Sequence, residues 1–152
     1  MMEKVRKIIN SVIRDHPGLF RVRFDNSGII IRKTVMPRES EGFNNSYSFT
    51  VKIIPCNDSK IKVTIGRLTY YYRPAGWDLG LVDEKNDFSV TYNDPTDFFF
   101  LMTKLEKFFR RIDSVDNEYY YLRLSEREQK LNEMYSSFLH LARERGPDPY
   151  PL

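Results

Sequence analysis

The chain has one cysteine, Cys56, and two histidines, His16 and His140, in 152 residues. A lone thiol closes no internal disulfide, so the fold needs no cross-link and a reducing compartment is expected. The scarcity of histidine removes the commonest metal ligand and general base. His16 sits in a helix-stop tetrapeptide, Asp15-His16-Pro17-Gly18, and His140 lies between Leu139 and Leu141. Neither has a partner at metal-ligand spacing. A Gly-rich phosphate loop, a nucleophile-elbow serine and a Cys-x-x-Cys pair are also missing. Cys56 occupies a Pro-Cys-Asn-Asp segment read as a turn, whose neighbours supply no cation to activate a thiol. Asp78, Asp83, Glu84 and Asp87 crowd one segment without the spacing of a Ca²⁺ loop, and read as a solvated acidic loop. No catalytic residue, metal site or cofactor is expected, and the chain reads as a non-enzymatic protein.

Long apolar runs are absent too. Met1-Met2-Glu3-Lys4 leads into a charged amphipathic stretch instead of a signal-peptide core, and no segment is long enough to span a bilayer. A soluble cytoplasmic protein without a membrane partner is expected (the host cytoplasm, for a viral gene). What the chain does have is a globular balance of 41% hydrophobic and 30% charged residues, with enough length to bury one core.

Hydrophobic periodicity lays out the fold. Val5, Ile8, Ile9, Val12 and Ile13 form a helical stripe. Phe20, Val22 and Phe24 then alternate with Arg21 and Arg23, and Asp25-Asn26-Ser27-Gly28 turns the chain into a return strand over Ile29 to Val35. After a loop from Met36 to Ser46, Tyr47 to Ile53 alternates. A Pro55–Ser59 turn follows, and then Ile61 to Ile65 alternates. Gly66 suggests a bulge, Leu68 to Tyr72 an extended continuation, and Phe88, Val90 and Tyr92 a short further strand.

Asp94-Pro95 opens a helix with the stripe Phe98, Leu101, Met102, Leu105, Phe108, Phe109 and Ile112. Ser125 and Glu128 have capping-box spacing ahead of Leu131, Met134, Tyr135, Phe138, Leu141 and Ala142. Residues 113–124 read equally as helix or connector. The expected class is α+β: an N-terminal helix, a four- or five-stranded antiparallel sheet, and two C-terminal helices packed on one sheet face. A single domain over 1–145 precedes a Pro-rich tail, 146–152.

Charge is unevenly distributed. Residues 1–75 carry a formal +8 and residues 76–152 a formal −5, giving the net +3. If the strand hydrophobes face the helices, period-2 geometry puts Arg21, Arg23, Arg32, Lys52 and Lys62 with Thr34, Thr50 and Thr64 on the opposite face. Such a face suits an anionic partner, although Lys, Arg and Thr are also what a merely solvated sheet carries. A second feature is the run Tyr70-Tyr71-Tyr72-Arg73-Pro74-Ala75-Gly76-Trp77, where Tyr71, Arg73 and Trp77 resemble an interface hot spot. Trp77 reads somewhat more readily as a lid folded over the core edge. The expected function is binding to another protein, for which an acidic surface is the natural complement, as an inhibitor, adaptor or assembly factor. The alternative is RNA or DNA binding, with the same cations on phosphates. Strand aromatics on the buried face and the acidic second half weigh against it. Oligomeric state is not legible.

Overall fold

The structure, a computed structural model, describes residues 1–35, 46–72, 79–118 and 124–150. In chain order these form α1 (Met2–Asp15), β1 (Arg21–Asp25), β2 (Gly28–Val35), β3 (Ser46–Asn57), β4 (Lys60–Tyr72), β5 (Leu79–Tyr92), α2 (Pro95–Glu118) and α3 (Leu124–Arg143). The α+β order read from periodicity holds, with five strands in one antiparallel sheet. The elements belong to two compact units. The helical unit holds Met1–Leu19, Cys56–Ile61 and Tyr92–Leu152, and the sheet unit Phe20–Pro55 and Lys62–Thr91.

In the helical unit the three apolar stripes do the packing. Val5 and Ile9 of α1 are fully buried, as are Phe98 and Phe109 of α2 and Leu131 of α3. All seven α2 stripe residues are buried, and α2 packs against both α1 and α3. The ends follow local chemistry. His16 donates its N–H to the Val12 carbonyl at 2.8 Å, and Gly18 turns the chain with φ +80°. Asp94 Oδ1 accepts the Thr96 N–H at 2.9 Å, the expected cap of α2.

One boundary left open by the sequence is resolved, and one differs from expectation. Helix α2 continues to Glu118, because Val115 extends the buried stripe one turn beyond Ile112. Helix α3 begins at Leu124, so Ser125 is already helical and cannot serve as the N-cap of a capping box, which requires non-helical backbone. Tyr119–Tyr121 lie outside the described residues.

A buried lysine closes the far end of α3. Lys104, 3% exposed, donates to the carbonyls of Leu141 (3.0 Å) and Glu144 (2.7 Å). These are acceptors left over at a helix C-terminus, where a cation also meets the negative end of the dipole. Burial draws the Lys104 pKa below its ordinary 10.5, while Asp148 and Glu144 pull the other way. The tail is tied to α2 in a similar manner. Lys107 pairs with the Asp148 carboxylate at 3.1 Å and also donates to the Tyr150 carbonyl. Burial pushes the Asp148 carboxyl up, but the Tyr150 N–H and Lys107 more than offset this and hold it low.

Tyr92, 3% exposed, lies under the Arg145 guanidinium, 5.6 Å from its ring centroid. Burial pushes its phenol up to about 12; Arg145 lowers it and Asp97 raises it further. The unfolded chain loses this proton near 10 while the folded protein keeps it. Stability is therefore lost as pH rises from 10 to about 12, by up to about 2 kcal/mol. Tyr92→Phe is expected to flatten that part of a urea-denaturation pH series relative to the parent protein.

In the sheet unit the strands lie in sequence order, β1-β2-β3-β4-β5. Asp25 makes the first turn: its Oδ1 accepts from the Ser27 hydroxyl (2.7 Å), the Ser27 N–H (2.8 Å) and the Gly28 N–H (2.9 Å). These bonds, the hydroxyl's first, hold its carboxyl below the ordinary value. Register then pairs Phe24 with Ile29, Ile29 with Ile53, and Ile31 with Val51. Ile29, Ile31, Phe49, Val51, Ile53, Val63 and Ile65 are buried, so the expected apolar face exists.

Several expectations fail in detail. Phe24 shares that face but is 41% exposed, because β1 is an edge strand with a neighbour on one side. The apolar face also carries Lys33, 8% exposed and opposite Phe49. The Pro55–Ser59 turn is shorter than read. Strand β3 runs on to Asn57, and the turn is Asp58–Ser59, with Asn57 Oδ1 accepting the Ser59 N–H at 2.9 Å. Pro55 is tolerated because it lies past Ile53, where the β2 register ends.

Strand β4 is continuous, and its burial slips by one residue at Gly66: Ile65 and then Leu68 are buried. An extra residue in the strand has this effect, as expected of a bulge. The largest correction concerns β5. It is not a short strand after an acidic loop but extends over 14 residues, with Asp83, Glu84 and Asp87 inside it.

Candidate basic face of the sheet

The register assembles the expected cations row by row. Arg21 stands opposite Arg32, which stands opposite Thr50, and Arg23 stands opposite Ile30, which stands opposite Lys52. Residues directly opposite share a face, so Arg21, Arg23, Arg32 and Lys52 lie together, opposite to Ile31 and Val51. Lys62 is exposed beside the buried Ile61 and Val63, which puts it on the polar side of β4. Its distance from the β1 row, three strands away, is about 14 Å at ordinary strand spacing.

That face is less open than expected. Ser48 is fully buried and Thr50 only 3% exposed, although both belong to it by register. Thr34 and Ser48 share a hydroxyl hydrogen bond at 3.0 Å, as do Thr64 and Ser89. Arg32 and Lys52 are half-buried, whereas Arg21, Arg23 and Lys62 are exposed.

The acids of β5 also enter the site. Glu84 forms an ion pair with Lys52. Asp87 receives Arg67 through two nitrogens, at 3.0 and 3.2 Å, a bidentate arrangement that fixes both groups. The segment read as a solvated loop thus neutralises part of the basic half. Arg23 approaches Asp25 at 3.7 Å with its own side chain well exposed, a pairing that solvent weakens. Arg21, Arg32 and Lys62 have no ion pair among the described residues.

The aromatic run divides differently. Tyr71 belongs to β4, but its side chain lies outside the described ones, and Arg73 and Trp77 lie outside the described residues altogether.

Elsewhere, His16 Nε2 meets Glu106 Oε1 at 2.7 Å, a bond from the end of α1 to the side of α2. His140 is exposed and 3.9 Å from Glu144. Cys56 is a free, exposed thiol. Among the described residues, no group of three or more His, Cys, Asp or Glu is placed to hold a metal ion, and no helix is long and apolar enough to cross a membrane. No family model, curated protein or solved structure matches the chain.

Proposed function

We propose that the chain is a non-enzymatic binding protein that engages an acidic surface of another protein through the edge-hairpin cations of its sheet, as an inhibitor, adaptor or assembly factor. The observation that carries this reading is the Arg21–Arg32 pair. Like charges directly opposite on neighbouring strands destabilise a sheet, and neither guanidinium has an ion pair among the described residues. An anionic group docked across the pair would relieve that repulsion, and Arg suits the task because its planar fork grips carboxylates with two bonds. Arg23 and Lys62 widen the same patch. Lys52 contributes less, since Glu84 already holds it. Tyr71, Arg73 and Trp77 enter the proposal from their residue types alone, as aromatic and guanidinium anchors. A cytoplasmic setting fits the free thiol of Cys56.

Capture of partners from lysate, with and without nuclease, tests the reading. A protein complex that survives nuclease and is lost in Arg21→Glu/Arg32→Glu is the expected result. RNA or DNA binding stands as the opposing outcome. Non-specific contacts give a Kd of about 10⁻⁵ M or weaker at physiological salt. Nanomolar affinity for a nucleic acid that falls steeply with added salt would replace the protein partner with a polyanion.

A further inference from the structure

The helical unit contains a cleft of about 580 Å³ lined by α2, α3 and Tyr150. Its floor is apolar. The Phe108 and Phe138 rings stack with centroids 4.9 Å apart and planes 6° from parallel, with Met134 and Leu141 beside them. Both rings are nearly buried, so they form a rigid base and not a soft one. The α2 wall carries Lys104, Lys107 and Arg111, at i, i+3 and i+7 along one helix face. The α3 wall carries Ser136, Ser137 and His140.

None of the lining residues is a carboxylate. The cations are differently committed. Lys104 uses two of its three N–H groups on the end of α3, and Lys107 is matched by Asp148. Arg111 is exposed and has no ion pair among the described residues. The cleft therefore combines an apolar floor, a row of donors and one uncommitted guanidinium. Its volume lies in the range of about 300–1,000 Å³ used by small-molecule sites.

From this arrangement we infer that the α2–α3 cleft binds a small amphipathic anion: a carboxylate, sulfonate or phosphate carried on an aromatic or short acyl body. The anionic head meets Arg111 and the serine hydroxyls, and the body lies against the apolar floor formed by Phe108, Phe138, Met134 and Leu141. The site is built by the helical unit alone and does not depend on the sheet face.

The probe is 8-anilinonaphthalene-1-sulfonate, compared with N-phenyl-1-naphthylamine, the same ring system without the charge, on the full chain. Saturable binding of one sulfonate per chain is expected, at least about tenfold tighter than the neutral dye. Arg111→Gln is expected to weaken it about tenfold or more, the size of a lost charge-assisted bond. Ser137→Glu, which sets a carboxylate in the cleft, should abolish it. Both positions are exposed, and an unchanged far-ultraviolet circular dichroism spectrum verifies that each variant is folded. Octanoate should displace the sulfonate, while inorganic phosphate at the same concentration should not. Equal affinity for the neutral dye, indifference to both substitutions, or displacement by phosphate alone would overturn the assignment.

Discussion

Val63→Asp is expected to leave no folded protein at 25 °C, seen as loss of the cooperative thermal transition. Val63 is fully buried in β4, flanked on its face by the buried Ile61 and Ile65. Removing its side chain forfeits about 1.5–3 kcal/mol of burial. An unpaired carboxylate in its place adds several kcal/mol more. Domains of this size are stable by only about 5–15 kcal/mol, so the sum consumes most or all of the margin. Lys62→Asp, one residue away and exposed, is the control and should move Tm by no more than about 2 °C. The reverse outcome would mean that the strand faces the other way.

Gly66→Ala should also be damaging, although it adds a single methyl group. A Cβ at Gly66 overlaps the carbonyl oxygen of Lys85 on β5, and the next nearest atoms are also backbone. No side chain can rotate away; the strands must separate. A cost of about 1–3 kcal/mol is expected, typical of forced overpacking. In a chain of this length that lowers Tm by roughly 3–10 °C. Gly18→Ala is the comparison. Its φ of +80° is awkward for alanine, but nothing lies within 4 Å of the added carbon. Only backbone strain of about 1 kcal/mol applies there. Differential scanning calorimetry of the two variants separates contact from conformation, and Gly18→Ala should be the milder.

These outcomes depend on features that differed in how far the residues declared them. The stripes of α1 and α2 were readable because every third or fourth residue is Val, Ile, Leu, Met or Phe, and no other geometry collects them on one side. The face carrying Arg21, Arg23, Arg32 and Lys52 was readable from alternation. Its pairing partners were not, because Glu84 lies more than 30 residues from Lys52 and only the sheet brings them together. The first part of β5 was hidden for a related reason. Acidic residues are poor strand formers, and Asp87 is stabilised there by Arg67 on a neighbouring strand, a tertiary effect that overrides propensity.

Lys104 carries only a faint signal in the sequence. It falls at i+3 from Leu101 and i−4 from Phe108, inside the apolar stripe, where a lysine must find a buried acceptor. Which acceptor could not be read from one helix. The α2–α3 cleft was illegible on the same grounds, since Arg111 and Ser137 become neighbours of one space only when their helices pack.

The packing of α1 against α2 has a consequence for synthesis on the ribosome. Some 80 residues, including the whole sheet, separate Asp15 from Pro95. At about 5–20 residues per second, the Val5 and Ile9 stripe emerges about 4–16 s before its partner helix begins to appear. During that interval the first helix lacks the partner helix that its stripe packs against. The nascent chain thus presents its N-terminal apolar stripe for seconds without its partner helix, a window for chaperone capture that closes as α2 leaves the exit tunnel.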